Sequence, residues 1–233
     1  MSSSSDPQWR FHDPTSSSSH TISPSTSSSC TVSITSGART DWWTTAPGSQ
    51  PESSAHRTTG PVVYQSVSLP DSASFRLSGI LSQPGTERFQ QTTLFIQRQH
   101  AGTSGIQGQL WLKAGVENEG GRQYVGVVAT NPYSDWNVSP LANGGAGGKR
   151  VKIEIEKTGP DVHVYYTVVA GDGKEEDAER FLLREKKGLA VPVDGEEHEE
   201  WWIGAMVCGP LSEATQGTVD EWTFDILPEG HQH

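Results

Sequence analysis

The sequence predicts an all-β fold of two packed antiparallel sheets, on three observations. Short runs rich in β-branched and aromatic residues recur along the chain; clusters of Gly, Pro, Asn and Asp separate them; no run carries a convincing helical period. The 233 residues include 25 Gly and 14 Pro, which suits frequent chain reversal. A β-sandwich of this length commonly folds as one unit. The expected division is a Ser/Thr-rich, partly disordered segment over 1–30, a sandwich domain over 31–228 and a tail over 229–233.

Of the first 36 residues, 20 are Ser or Thr, and such a composition buries too little apolar surface to offset its ordering entropy. Trp9 and Phe11 interrupt that polar run, so the segment is expected to be pinned locally. Strands are then predicted near 31–36, 40–45, 61–68, 74–81, 92–98, 109–117, 123–130, 150–156, 162–169, 180–184, 201–207 and 218–226. Glu119-Gly120-Gly121 and the glycine run 143–148 supply positive-φ positions for tight turns.

Period-two alternation assigns faces. In the strand from Leu110 to Glu117, Leu112, Ala114 and Val116 belong to the core. Trp111, Lys113, Gly115 and Glu117 share the opposite face, where an aromatic ring, both charge signs and a glycine that admits close approach form a candidate binding surface. Val151, Ile153 and Ile155 are core, and Lys152, Glu154 and Glu156 read as a plain hydrated side. Trp222, Phe224 and Ile226 are expected to close the core together.

Seventeen basic against 28 acidic residues give a net charge of −11, which opposes binding to a phosphate backbone, so no nucleic-acid partner is expected. Much of the excess lies between Asp172 and Glu200, where Glu196 to Glu200 read as a solvated acidic loop. No run approaches the ~18 apolar residues of a membrane helix, and the opening residues lack the apolar core of a secretory signal. The expectation is a cytoplasmic protein without membrane contact, its two cysteines, Cys30 and Cys208, held as thiols. The eight histidines are scattered, so no metal and no cofactor are expected.

Four segments, Asp41-Trp42-Trp43, Trp111 to Glu117, Val127 to Thr130 with Tyr133-Ser134-Asp135-Trp136, and Ile203 to Pro210, resemble in order the concanavalin A-like family of unknown function that includes the fungal regulation-of-enolase proteins and relatives of β-xylosidase accessory domains. The resemblance implies a concanavalin A-like jelly-roll whose concave sheet is the usual ligand site. Where that family tends to have an aromatic-Asp-Gln run, this chain has Phe89-Gln90-Gln91, so one carboxylate is missing.

Together these observations nominate Trp111, Lys113, Glu117, Asp135 and Trp136, with Trp43 and Gln91, as one ligand-binding surface. Aromatic platforms beside hydrogen-bonding charges suit a carbohydrate-like or other small polar ligand; the same surface would also serve a protein partner. The competing hypothesis is an enzyme using Glu117 or Asp135 as acid or base with Lys113 as electrostatic partner. The acidic triplet on one strand that marks glucanases of this fold is missing. The bland reading of Lys113 and Glu117 is a salt bridge on an exposed sheet.

Overall fold

Alternating side chains produce a two-layer molecule whose inner faces are largely apolar. The computed structural model describes residues 8–50, 55–99, 109–145, 148–169, 179–191 and 198–228. Sixteen strands and no helix occur among the described residues. In chain order they are β1 (Trp9–His12), β2 (Ser19–Pro24), β3 (Cys30–Ser36), β4 (Trp42–Thr44), β5 (His56–Thr58), β6 (Val62–Pro70), β7 (Ser74–Ser82) and β8 (Gln91–Gln99). They continue with β9 (Trp111–Glu119), β10 (Arg122–Thr130), β11 (Ser134–Gly145), β12 (Arg150–Thr158), β13 (Asp161–Val169), β14 (Phe181–Lys186), β15 (His198–Cys208) and β16 (Thr215–Leu227).

The first sheet runs β1-β6-β15-β8-β9-β10-β11 and the second β14-β13-β12-β7-β16-β3-β2; β4 and β5 pair as a separate hairpin. Each pairing is antiparallel. Between the sheets lies the main core, to which β9 contributes Leu112, Ala114 and Val116 and β12 contributes Val151, Ile153 and Ile155. The turn from β9 to β10 uses Gly120 and Gly121, both at positive φ, as a two-residue hairpin requires.

Every strand expected from the sequence is present, and four more accompany them. β1 and β2 place the Ser/Thr-rich start inside the sandwich: Trp9 meets Trp222 edge-on with centroids 4.6 Å apart, and Phe11 packs against the core. The sandwich therefore begins upstream of residue 31. Residues 1–7 and the expected tail 229–233 lie outside the described residues, as does much of the acidic stretch and part of the glycine run.

Three expectations about faces are corrected. β16 carries a bulge between Asp220 and Thr223, with Glu221 at φ 51°. Trp222 and Phe224 still pack on the core, but Ile226, near the strand's end, is 62% exposed. The polar side of β12 is not simply hydrated: Glu156 is buried, held by Arg76 Nε at 2.8 Å and Arg180 Nη2 at 2.7 Å, while the Arg180 guanidinium lies 3.4 Å from the Tyr165 ring centroid. Glu199 is no loop residue. It sits on β15, fully buried, with Arg98 Nη2 at 3.2 Å and Lys157 Nζ at 3.4 Å, and accepts a hydrogen bond from Trp201 Nε1 at 2.9 Å.

A pocket on the outer face of the first sheet

Strand register sets out the outer face of the first sheet in rows. One row runs Tyr64, Gly204, Phe95, Lys113, Val128 and Trp136 across β6, β15, β8, β9, β10 and β11. Four residues further along, β15, β8, β9 and β10 present Cys208, Gln91, Glu117 and Tyr124. Between these rows Gly115 faces Gly126, and two glycines side by side leave the layer of side chains thin. That is where the surface is hollow.

The β4–β5 hairpin covers part of this face. Trp42 lies over Phe95 and Trp111, with centroids 4.8 and 5.6 Å away, and its Nε1 donates to Gly60 O at 2.8 Å. Thr44 N donates to Ser134 Oγ at 2.9 Å, which ties the hairpin across to β11. The second aromatic core so formed holds Trp42, Tyr64, Phe95, Trp111, Met206 and Cys208.

Beside the hairpin opens a pocket of about 370 Å³ lined by Asp41, Trp43, Arg57, Phe89, Gln91, Lys113, Glu117 and Trp136, with Pro210 and Leu211 at one side. Its charged groups are connected. Lys113 Nζ, 2% exposed, lies 3.1 Å from Asp41 Oδ1, which also accepts the amide of Trp42 at 2.8 Å. Arg57 Nη1 stands 3.8 Å from Asp41 Oδ2 near the rim. Glu117 Oε2 accepts from Trp136 Nε1 at 3.0 Å. A Cβ placed on Gly126 would meet that same oxygen at 3.3 Å, so the glycine leaves room for the carboxyl group.

Burial governs protonation here. It pushes the Glu117 carboxyl up to about 7, against the opposing pull of the Lys113 charge and the Trp136 hydrogen bond. For Lys113, burial acts downward, but the charges of its acidic neighbours and the Asp41 hydrogen bond prevail and hold the ammonium above its usual range. The Cys208 thiol, buried behind them with Sγ 3.8 Å from Asp41 Oδ1, is raised by the same desolvation and stays protonated. Both cysteines are free.

Phe89 is held in an unusual way. Its φ is 66°, a conformation that costs a bulky L-residue roughly 1–2 kcal/mol. Its amide donates to Asn118 O at 2.7 Å and Gln90 O accepts from Asn118 N at 3.0 Å. The result brings the ring to the pocket wall, edge-on to Trp136 with centroids 6.0 Å apart.

Of the residues nominated from the sequence, Lys113, Glu117, Trp136, Trp43 and Gln91 meet at this pocket. Trp111 does not line it. It shares the face, but the Trp42 ring covers it to 0% exposure, and its Nε1 is taken by Gln109 Oε1 at 3.2 Å. Asp135 is also absent from it. Because β11 is a strand, Asp135 and Trp136 point to opposite sides: Trp136 pairs with Val128 on the outer face, and Asp135 pairs with Ala129 of the core face. There Asp135 meets Arg184 of β14, so Glu117 and Asp135 do not flank a common bond. Lys113 and Glu117 are buried, not paired on an open sheet. Gly115 admits a neighbour, namely β8 itself: a Cβ there would lie 2.0 Å from Thr92 O. Asp41, Arg57 and Phe89 were not nominated. Asp41 and Phe89 stood in segments of the family resemblance, the one signal that pointed their way. Among the described residues no cluster of His, Cys, Asp and Glu is arranged to hold a metal ion.

A family model described as "Protein of unknown function (DUF1349)" matches residues 21–226. The chain belongs to that family. An uncharacterized protein, AN7484, from Emericella nidulans is 24% identical over 173 residues, 74% of each chain. A functionally unknown protein of Saccharomyces cerevisiae has a similar structure, with a TM-score of 0.64 at 16% identity, covering 95% of this chain and 97% of the other. A seed lectin of Lotus tetragonolobus matches with a TM-score of 0.53 at 12% identity, over 96% and 94% of the two chains. The fold is a concanavalin A-like jelly-roll sandwich.

Proposed function

We propose that this protein is a lectin-like binding module that holds a small polyhydroxylated, carbohydrate-like ligand in the outer-face pocket. One observation carries the proposal: Lys113, Asp41 and Glu117 lie deep in a pocket whose walls are the rings of Trp43, Phe89 and Trp136. A sugar presents an apolar C–H face and an edge of hydroxyl groups. Aromatic walls accept the first, and a few placed charges accept the second. The volume falls within the roughly 300–1,000 Å³ range of small-molecule sites. A cytoplasmic regulatory role in carbohydrate metabolism, as the enolase-regulation resemblance implies, would use the same pocket.

Thermal-shift and calorimetric titration with a saccharide and metabolite panel tests this. A bound ligand raises the unfolding midpoint, and Trp136→Ala and Glu117→Gln each weaken its affinity by about tenfold or more, equivalent to ~1.4 kcal/mol. Absence of any shift with wild type rejects a small-molecule role and turns attention to a protein partner. A ligand that binds Glu117→Gln unchanged removes Glu117 from the site.

A second reading, an enzyme acting in the same pocket, is favoured by one specific feature. A recess of about 10 Å³ lies beside Glu117, Lys113 and Gly126, close to the space one water needs, next to a carboxyl group whose pKa of about 7 suits an acid or base at neutral pH. Asp41, whose Oδ1 is engaged by Lys113 and the Trp42 amide, is placed to hold Lys113. Turnover of a bound ligand, abolished in Glu117→Gln, would mark this reading as the correct one.

A further inference from the structure

We propose that the pocket accepts one terminal ring of a saccharide, entering end-on, and excludes internal segments of a polymer. The inference rests on the sugar-binding role proposed above and adds the class of ligand. An internal segment needs an entrance and an exit, that is, a cleft open at two ends. Here the face is closed on successive sides. Toward β6 and β15 it is filled by rings: Trp42 against Phe95 and Trp111, then Tyr64 stacked on Trp202 at 4.1 Å. The hairpin that carries Trp42 and Trp43 is anchored to β11 through Ser134, so this wall does not stop short of the sheet's edge. On the opposite side Phe89 and Trp136 meet edge-on, and Pro210 and Leu211, which follow the end of β15, also line the pocket.

Phe89 supplies the second line of argument. A phenylalanine kept at φ 66° is a strained backbone conformation retained at a pocket wall, where strain is commonly tied to ligand placement. Its contact with Trp136 also adjoins the indole that holds Glu117. One residue thus closes the wall and abuts the group that orients the carboxyl.

The test uses the full chain. Oligosaccharides on an array identify the terminal residues bound, and calorimetry then compares each hit with its terminal monosaccharide and with the same oligosaccharide capped at both ends. The monosaccharide is expected to retain most of the affinity, within about tenfold, and the doubly capped form to lose about 30-fold or more. Phe89→Gly removes the ring and also relieves the positive-φ strain, which offsets the packing it gives up, and its folding is verified by its unfolding midpoint. It is expected to narrow the gap between capped and uncapped ligands. Equal binding of capped and free forms overturns end-on entry while leaving sugar binding intact. Failure of every saccharide, free or capped, overturns the sugar reading itself and this inference with it.

Discussion

Two groups of buried charges lie in this molecule, and their surroundings differ. Arg98, Lys157 and Glu199 join both sheets inside the sandwich, at side-chain exposures of 1% or less. Protein groups surround them: Lys157 Nζ donates to Asp71 O and Ala73 O at 3.2 and 3.0 Å, Arg98 Nη1 to Val191 O, and Trp201 Nε1 to Glu199. Lys113, Asp41 and Glu117 are nearly as buried but line a pocket. The first group binds the sheets to each other, and its opposite charges meet within the fold. The second keeps part of its hydrogen-bonding capacity directed at a space that a ligand would fill. Buried charge alone therefore does not single out a candidate site; burial next to a ring-walled pocket does.

The largest effect that separates the two is expected from Glu199→Gln. It leaves two buried cations without their counter-charge and costs about 3–5 kcal/mol, read by chemical denaturation, with the pocket's affinity unchanged in the folded protein. Equal stability of the variant would put the triad in the same class as an exposed pair. Next comes the pH dependence of Glu117. Its carboxyl titrates near 7 in the fold against 4.5 ordinarily, so between these values the folded state binds more protons than the unfolded one. Stability due to this group is full below about 4.5 and is lost as pH rises through 7, by on the order of 3 kcal/mol. Wild type should therefore lose stability relative to Glu117→Gln across that window, and parallel profiles would contradict the assigned burial. The smallest effect belongs to Asp135→Ala. That carboxylate is 69% exposed in its pair with Arg184, so unfolding shifts by at most about 1 kcal/mol and ligand affinity stays constant. A tenfold loss of affinity would return Asp135 to the site.

The same contrast explains what was legible in the residues. From Leu110 to Glu117 alternation is strict, so the two faces of β9 could be read directly, and with them Lys113 and Glu117. β11 was hidden because Asn137, Pro140 and the following glycines resemble a loop. An edge strand tolerates them, since one side of its backbone pairs with nothing. Missing that strand joined Asp135 to Trp136, which a strand must separate. Asp41 reaches Lys113 across 72 residues, a contact no local pattern encodes, and the positive φ of Phe89 violates the usual preference instead of following it. Glu199 was obscured by its acidic neighbours: composition described the run, whereas burial selected one member of it.

The chain's opening strands carry one more consequence. β1 borders the first sheet and β2 the second, so a single short stretch hems both layers on one flank. The stretch shared with the family starts at residue 21, within β2. A fragment trimmed to that limit would bare the hydrogen-bonding margin of β6 and a third of that of β3, two seams ready to recruit strands from other molecules. For this protein the span of the family match and the span of the sheets start at different places, the second by Trp9 at the latest.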